Sequence, residues 1–315
     1  MSHDPSAAPS FHSSGNLNAD RRYEYARDLA REGDFAAAAG LYAQTLELVP
    51  HWAPCWFAYG ECLEKTGQNA LAIEAFRKVI ELSPADPFGA GLHIYRLGGS
   101  GGEGGGTANH HAYVASLFDQ YAPRFDTHLV QALHYRGPEL MRGMLDAGAG
   151  TARKFERFVD LGCGTGLMAL ALKGRYAHAY GVDLSPQMVK KARQTGLYTR
   201  VFADEMVAFL DRAPKKTADL VLAADVLVYC GGLGAIFASV YEALMAGGWF
   251  GFSVQEFSGE GFQLGEDYRF AHSASYIRQC AANAGFEPVT LEAASTRQDR
   301  GVDVPGLLVL LKKPD

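Results

Sequence analysis

Only five cysteines occur in the 315 residues: Cys55, Cys62, Cys163, Cys230 and Cys280. Their number is odd, their spacing is scattered and no CxxC pair is present. This argues against a disulfide framework and against a zinc site. They read instead as small buried hydrophobes of a reducing compartment. No block of like charge occurs, and the net charge is -6. The chain therefore lacks an electrostatic footprint for nucleic acid or for an anionic membrane. No apolar run approaches the roughly 20 residues needed to span a bilayer. Met1 to Asn18 lack a basic start followed by an apolar run, so neither a signal peptide nor an anchor is expected, and the default location is cytoplasmic. With 48% hydrophobic and 20% charged residues, the chain is expected to be globular and able to bury a core without staples.

Residues 1–18 are rich in Ser, Pro, Ala and His and are expected to form a disordered tail. A repeat follows. Gly33, Ala38, Tyr42 and Pro50 recur 34 residues later as Gly67, Ala72, Phe76 and Pro84, the period of the tetratricopeptide repeat. Small Ala38 and Ala72 let paired helices approach, Tyr42 and Phe76 fill the gap, and the prolines stop each second helix. Trp56, Tyr59, Gly60 and Leu63 match that family's first-helix pattern. Arg22 and Ala26 depart from it at the Trp and Gly positions. Two repeats and a capping helix near Pro87 to Leu97 make a small all-α domain over 19–98. The glycine run from Gly98 to Gly106 cannot sustain a helix or strand and predicts a flexible linker over 99–110. A second domain is expected at 111–315.

That second domain alternates in type. Strands are predicted at Arg157–Leu161, His178–Val182, Tyr198–Phe202, Leu220–Ala224 and Trp249–Val254, and late ones at Pro288–Leu291 and Leu307–Leu311. Helices are predicted from Leu167 to Leu172 and at Pro186–Gln194, Glu205–Arg212, Leu233–Met245 and Ser273–Ala284. The alternation predicts a Rossmann-like α/β fold: a mostly parallel, seven-stranded sheet covered on both faces. No helix separates the last two strands, which predicts one antiparallel strand.

The stretch Asp160-Leu161-Gly162-Cys163-Gly164-Thr165-Gly166 lies directly between the first strand and first helix. Glycine permits the tight turn and the close approach of a ligand to the backbone. The spacing is G-x-G-x-G, and the third glycine of a dinucleotide fingerprint would fall at Leu167. No Lys-Ser/Thr follows, which rules out a phosphate loop. Asp160 can accept hydrogen bonds from an amino group but would repel a pyrophosphate. Asp183 ends the second strand and is placed to accept both hydroxyls of a ribose. Met188 offers an apolar wall for an adenine face, and Asp204 can accept from its exocyclic amine. Each acid alone also suits a helix N-cap.

These residues resemble the class I S-adenosylmethionine-dependent methyltransferases. Val159 to Gly166 looks like their first motif and Gly181 to Met188 like their second. Leu117 to Asp126 and Ala224 to Tyr229 resemble a bacterial family of predicted methyltransferases with N-terminal tetratricopeptide repeats. The resemblance implies S-adenosylmethionine as cofactor. By it, Gly162, Cys163 and Gly164 line the methionine end and Asp183 holds the ribose. Leu184 and Met188 flank the adenine, Asp204 with Glu205 caps its edge, and Ala224 adjoins the pocket. Related enzymes close the site with a lid helix before the first strand. Phe118, Tyr121 and Phe125 share one helical face there, so Tyr121 either reaches the ligand or packs in the core.

Methyl transfer from a sulfonium is an in-line displacement governed largely by positioning. A base is required only where the acceptor must lose a proton. Asp225, Tyr229 and His272 are the candidates on the strand-end loops, with helix capping as the alternative role for His272. The Asn-Pro-Pro-aromatic motif of amino-methylating enzymes is absent after the fourth strand. His110, His111 and His128 show no metal-like spacing, and no metal is expected. A small-molecule acceptor is expected, with a protein partner for the repeats as a further possibility. Two other classes remain open at this stage. One is an NAD-dependent oxidoreductase, which Asp160 and Leu167 disfavour. The other is a non-catalytic repeat adaptor with a relic cofactor site.

Overall fold

The computed structural model describes residues 13–98, 110–125, 135–299 and 301–315. The chain divides into two compact units between Ser116 and Leu117. The expected linker, apart from residue 110, lies outside the described residues, as do the first twelve residues of the expected tail and His128. Residues 17 and 18 of that tail already belong to a helix. Among the described residues no helix is long and apolar enough to cross a membrane.

The first unit is built from helices α1 (Leu17–Arg31), α2 (Phe35–Leu48), α3 (Ala53–Lys65), α4 (Asn69–Leu82) and α5 (Ala90–Arg96). Asn16 caps α1, its side chain accepting from the backbone N–H groups of Asn18 and Ala19, which satisfies two orphan donors of the first turn. The 34-residue repeat is visible as geometry. Gly33 and Gly67 follow α1 and α3 with φ of 89° and 77°, a left-handed conformation that suits glycine. Ala38, Ala72, Tyr42 and Phe76 are all buried. A Cβ on Gly60 would lie 2.7 Å from Cε1 of Phe76, so the glycine is what lets α3 meet α4. Helices α2 and α4 end at Leu48 and Leu82, two residues before their prolines. The capping helix α5 is shorter than expected. Asp86 starts it by accepting from the backbone of Ala90 and Gly91, both at 2.8 Å.

The second unit begins within α6 (His111–Tyr121), which leads into a 3-10 turn over Ala122–Arg124. Helix α7 (Gly137–Ala149) follows, then β1 (Phe155–Leu161), α8 (Leu167–Ala171), β2 (Tyr176–Asp183), α9 (Pro186–Gln194), β3 (Arg200–Ala203), α10 (Met206–Arg212), β4 (Ala218–Ala223), α11 (Gly234–Ala243) and β5 (Leu244–Glu256). The chain continues through β6 (Phe262–Leu264), β7 (Phe270–His272), α12 (Ala274–Ala284), β8 (Glu287–Ala293), β9 (Gln298–Asp299), β10 (Val302–Asp303) and β11 (Gly306–Lys312). The main sheet runs in the order β3-β2-β1-β4-β5-β11-β8. Pairs from β3 to β5 are parallel, and β11 is antiparallel to both neighbours. The seven strands and single reversal match the expectation. Phe237, Phe250 and Phe252 anchor the core on one face, and Met141, Leu145 and Phe158 on the other.

Three features depart from the sequence reading. The sheet has nine strands, because a β6–β7 hairpin adds β7 in parallel to the end of β5. This hairpin lies in a glycine-containing, polar stretch without clear alternation. Helix α7 was not anticipated, since its glycines obscure the periodicity. Gly148 is nevertheless required there, as a Cβ would lie 2.5 Å from Leu310. Strand β3 starts at Arg200, so Tyr198 lies before it and is free to turn toward β1. The order 3-2-1 followed by 4-5 reverses between β1 and β4, so the crevice opens beyond their carboxyl ends.

Candidate functional site

The turn after β1 is held by glycine geometry. Gly162, Gly164 and Gly166 have φ of 64°, 52° and 100°, a region that penalises any Cβ. At Gly162 a Cβ would also come 2.3 Å from Cγ2 of Val226. The loop after β4 thus lies directly on the turn. Cys163 turns its side chain inward, among Val189, Ala192 and Val201, so only its backbone can face a ligand.

Asp183 joins the turn to the loop after β2. Its Oδ2 accepts from Gly164 N–H at 2.8 Å and its Oδ1 from Ser185 N–H at 2.9 Å. Each oxygen keeps a further lone pair. Burial raises this carboxyl to about 6 and Asp119 raises it too, against the two backbone bonds. Asp160 is buried at the end of β1, and its Oδ2 accepts from the Tyr198 hydroxyl at 2.6 Å. Burial raises it to about 7, the Tyr198 bond opposes this, and Asp183 adds repulsion. Both acids sit where an ionised form gains from a donor-bearing ligand.

Asp204 is linked to Asp183 through its backbone N–H, which donates to the Asp183 carbonyl at 3.0 Å. Its carboxylate accepts from Glu205 N–H and pairs with Arg212. Glu205 caps α10, accepting from Val207 and Ala208 N–H at 2.9 and 2.8 Å. Both acids are thus engaged at the start of α10. Met188 is fully buried, while Leu184 is partly exposed. Leu184 is the better placed of the two to meet an adenine face.

The segment before the sheet reaches this site through Asp119 on α6. Its Oδ1 accepts from the Ser185 hydroxyl at 2.5 Å and from Gln187 N–H at 3.1 Å. Phe125 packs against Phe118 and Tyr121, with centroids 6.0 and 5.6 Å apart. Its ring stands 3.7 Å from where a Gly164 Cβ would be. The shared aromatic face expected from the sequence is thus assembled over the glycine turn.

The loop after β4 begins at partly buried Ala224 and carries Asp225 in a left-handed conformation, φ 57°. The Asp225 backbone N–H donates to Ser253 Oγ at 2.8 Å. Its carboxylate takes both bonds from Arg297 Nη1, each at 2.9 Å, and one from Thr296. The carboxylate is thus occupied by Arg297 and Thr296. Tyr135 lies near Asp225 and Asp160, and burial first, then those charges, push its phenol well above the usual range. Tyr229 packs edge-on against Phe118 at 5.4 Å and accepts from Arg269 at 3.2 Å. His272 has no accessible surface, and its Nε2 donates to the Gly231 carbonyl at 3.0 Å. Burial lowers its basicity. It stacks on Tyr276 inside the fold, which departs from the loop position expected for a base. Among the described residues no group of three His, Cys, Asp or Glu could hold a metal.

Sequence reasoning missed Tyr198, Tyr135, Ser253, Arg269 and Arg297. No local motif marks them, because the crossovers bring them together from distant positions. Asp119 did carry a signal, since it lies in the segment that resembles the repeat-bearing methyltransferases.

Residues 158–248, from within β1 into β5, match the methyltransferase-domain family. Residues 23–87 match the tetratricopeptide-repeat family. The chain carries a methyltransferase domain behind tetratricopeptide repeats. Human methyltransferase-like protein 27 is 32% identical over 112 residues, 35% of this chain and 45% of that protein. The malonyl-[acyl-carrier protein] O-methyltransferase of Serratia marcescens is 29% identical over 137 residues, 43% and 49% of the two chains. The chain spans less than half the length of these curated relatives. A solved structure of Burkholderia thailandensis 1,6-didemethyltoxoflavin-N1-methyltransferase, with bound 1,6-didemethyltoxoflavin and S-adenosylhomocysteine, shares the fold. It aligns with a TM-score of 0.51 at 21% identity, over 66% of this chain and 92% of that one.

Proposed function

We propose that this protein transfers a methyl group from S-adenosylmethionine to an O, N or C nucleophile of a small-molecule acceptor. The observation that carries the reading is Asp183. It holds the glycine turn and the loop after β2 with one lone pair of each oxygen and keeps the other for a ribose hydroxyl. The donor set fits the cofactor: the acids only accept when ionised, whereas ribose hydroxyls, an adenine amine and an ammonium group all donate. Asp160 would repel the pyrophosphate of NAD.

The cofactor, when bound, supplies an activated methyl group whose carbon–sulfur bond breaks with the electron pair passing to sulfur. The protein contributes alignment. Asp183 and Gly164 would hold the ribose end of the cofactor, and Asp160, backed by Tyr198, would receive its amino group. Leu184 would flank the adenine, with Asp204 and Glu205 toward its edge. Phe118, Tyr121 and Phe125 exclude water from above. Tyr229 orients the acceptor, and Asp225 positions the loop that presents it through its pair with Arg297. We assign no base role to His272, which is enclosed and hydrogen-bonded to Gly231. The repeats offer a surface for a protein partner, and exposed Tyr25 and Leu71 are available to it.

The test is a melting experiment on the full chain. S-adenosylmethionine and S-adenosylhomocysteine are expected to raise the melting temperature, and NAD and ATP are not. Stabilisation by NAD with no response to either sulfur compound would overturn the reading.

A further inference from the structure

The β6–β7 hairpin places an arginine inside the protein. Tyr268 takes a left-handed conformation at its turn, φ 57°, and delivers Arg269, which is 4% exposed. The Arg269 backbone N–H donates to Asp267 Oδ1 at 3.2 Å. Its Nη2 donates to the Tyr229 hydroxyl at 3.2 Å, with the guanidinium carbon 5.6 Å from that ring's centroid. Its Nη1 is buried and has no acceptor among the described residues. A buried donor without a partner is costly and calls for an explanation.

The carboxylates near it are already engaged elsewhere. Arg297, also buried, spends Nη1 on both oxygens of Asp225 and leaves its own buried Nε without an acceptor. Asp225 is therefore largely committed to Arg297. Asp267 is exposed, and its carboxylate is engaged by the Arg269 backbone and by Gln255 at 3.3 Å. Two buried guanidinium groups thus face one half-buried carboxylate, Asp225, already paired with Arg297, and one exposed carboxylate, Asp267. An internal cation gains most from an anion that enters with its own charge.

The location identifies the ligand. Tyr229 separates Arg269 from Phe118, and Phe118 packs on Phe125 over Gly164. Val226, next to Asp225, lies on Gly162. Three packed aromatic side chains, Tyr229, Phe118 and Phe125, thus connect Arg269 to the glycine turn, on the side of the loop after β4. We propose that Arg269 recognises an oxyanion, a carboxylate or phosphate group, carried by the methyl acceptor. This proposal rests on the methyl-transfer reading. Arg269 is a specificity residue in it, and the bound oxyanion completes the hydrogen bonding of Nη1.

The experiment uses the full chain saturated with S-adenosylhomocysteine and matched probes. In one arm 4-hydroxybenzoate, 3-hydroxybutyrate and succinate are compared with their carboxamides. In the other, phenyl phosphate and glycerol phosphate are compared with phenol and glycerol. At least one anion is expected to raise the melting temperature with about tenfold higher affinity than its neutral partner, and the arm in which this occurs names the group. Arg269→Gln should remove the preference while the response to S-adenosylhomocysteine persists. Arg269→Lys, which keeps the charge but not the planar fork, should retain it in weakened form. No anion preference in either arm would overturn the proposal, as would a preference unchanged in Arg269→Gln. Should the Gln variant not fold, an unchanged preference in the Lys variant overturns it and a weakened one supports it. Failure of S-adenosylhomocysteine to bind would instead refute methyl transfer itself.

Discussion

Replacing Asp183 with Ala tests the centre of the site, and the structure sets the size of the effect. In the unliganded protein the carboxylate accepts two backbone N–H bonds, from Gly164 and Ser185. With the cofactor it would accept two more, from ribose hydroxyls. Charge-assisted bonds contribute about 1.5–3 kcal/mol each. The low end for the ribose pair is about 3 kcal/mol, or about 150-fold in affinity. Water entering the partly exposed site will offset some of this, so at least tenfold weaker binding is expected. The Ala variant also frees the glycine turn and weakens the fold locally. Asp183→Asn separates the two effects, since its amide oxygen can still accept one backbone bond. Calorimetric titration with S-adenosylhomocysteine gives the dissociation constants, and circular dichroism checks folding. Folded variants with an unchanged dissociation constant would refute the ribose assignment.

The acids also set a pH dependence. Asp183 and Asp160, raised to about 6 and about 7 mainly by burial, contribute fold stability that is present below the unfolded carboxyl value and lost as pH rises through 6–7. Cofactor binding runs the other way, because donors need the ionised acids. Affinity for S-adenosylhomocysteine should therefore fall as pH drops from 8 to 5, and a flat profile would contradict the assignment. Gly162→Ala forces a Cβ into Val226 and an unfavourable φ, which costs about 2 kcal/mol or more. Its melting temperature should fall by about 4–8 °C with cofactor binding lost, and normal binding would show that the turn can shift. In the repeats, Gly60→Ala gains about 1 kcal/mol of helix propensity but overpacks Phe76, at a cost of about 1–3 kcal/mol. The single variant should be destabilised and Gly60→Ala with Phe76→Leu less so; equal melting of the two would mean the contact is relaxed.

How much was legible depended on how local the signal was. The repeat was readable because helix pairing recurs every 34 residues, and each recurring residue meets its neighbours within one hairpin. The glycine turn was readable because three left-handed positions leave little but glycine. Strand and helix order followed from periodicity, and the antiparallel β11 from the missing crossover. Helix α7 was not legible, since glycines that let it lie on Leu310 also blur its pattern. The β6–β7 hairpin was lost among turn residues. Asp183 was singled out by its place at the end of the second strand, whereas its backbone bonds to Gly164 and Ser185 depend on how two loops meet. Tyr198 looked like a strand residue; its hydroxyl finds Asp160 only because β3 begins two residues later. His272 illustrates the opposite error. Its position before a late helix suggested an open loop, yet β7 pairing draws it into the sheet.

The two ends of the crevice differ in charge, and that difference bears on how a transfer site can be organised. On the cofactor side, Asp160, Asp183, Asp204 and Glu205 gather acceptors, with Arg212 as the cation paired there. Around the loop after β4, Arg269 and Arg297 stand with Asp225 and the exposed Asp267. In the proposed reading a sulfonium-bearing cofactor would be drawn to the first group and an oxyanion to the second, with Val226 against Gly162 and Phe118 against Tyr229 in the region between. Positioning by complementary fields needs no strong base, in keeping with the enclosed His272 and the committed Asp225. A nucleophile held between these two groups would be aligned by charges at both ends, and the reaction would then depend on how closely the acceptor's anionic group and its attacking atom match the span from Arg269 to the glycine turn.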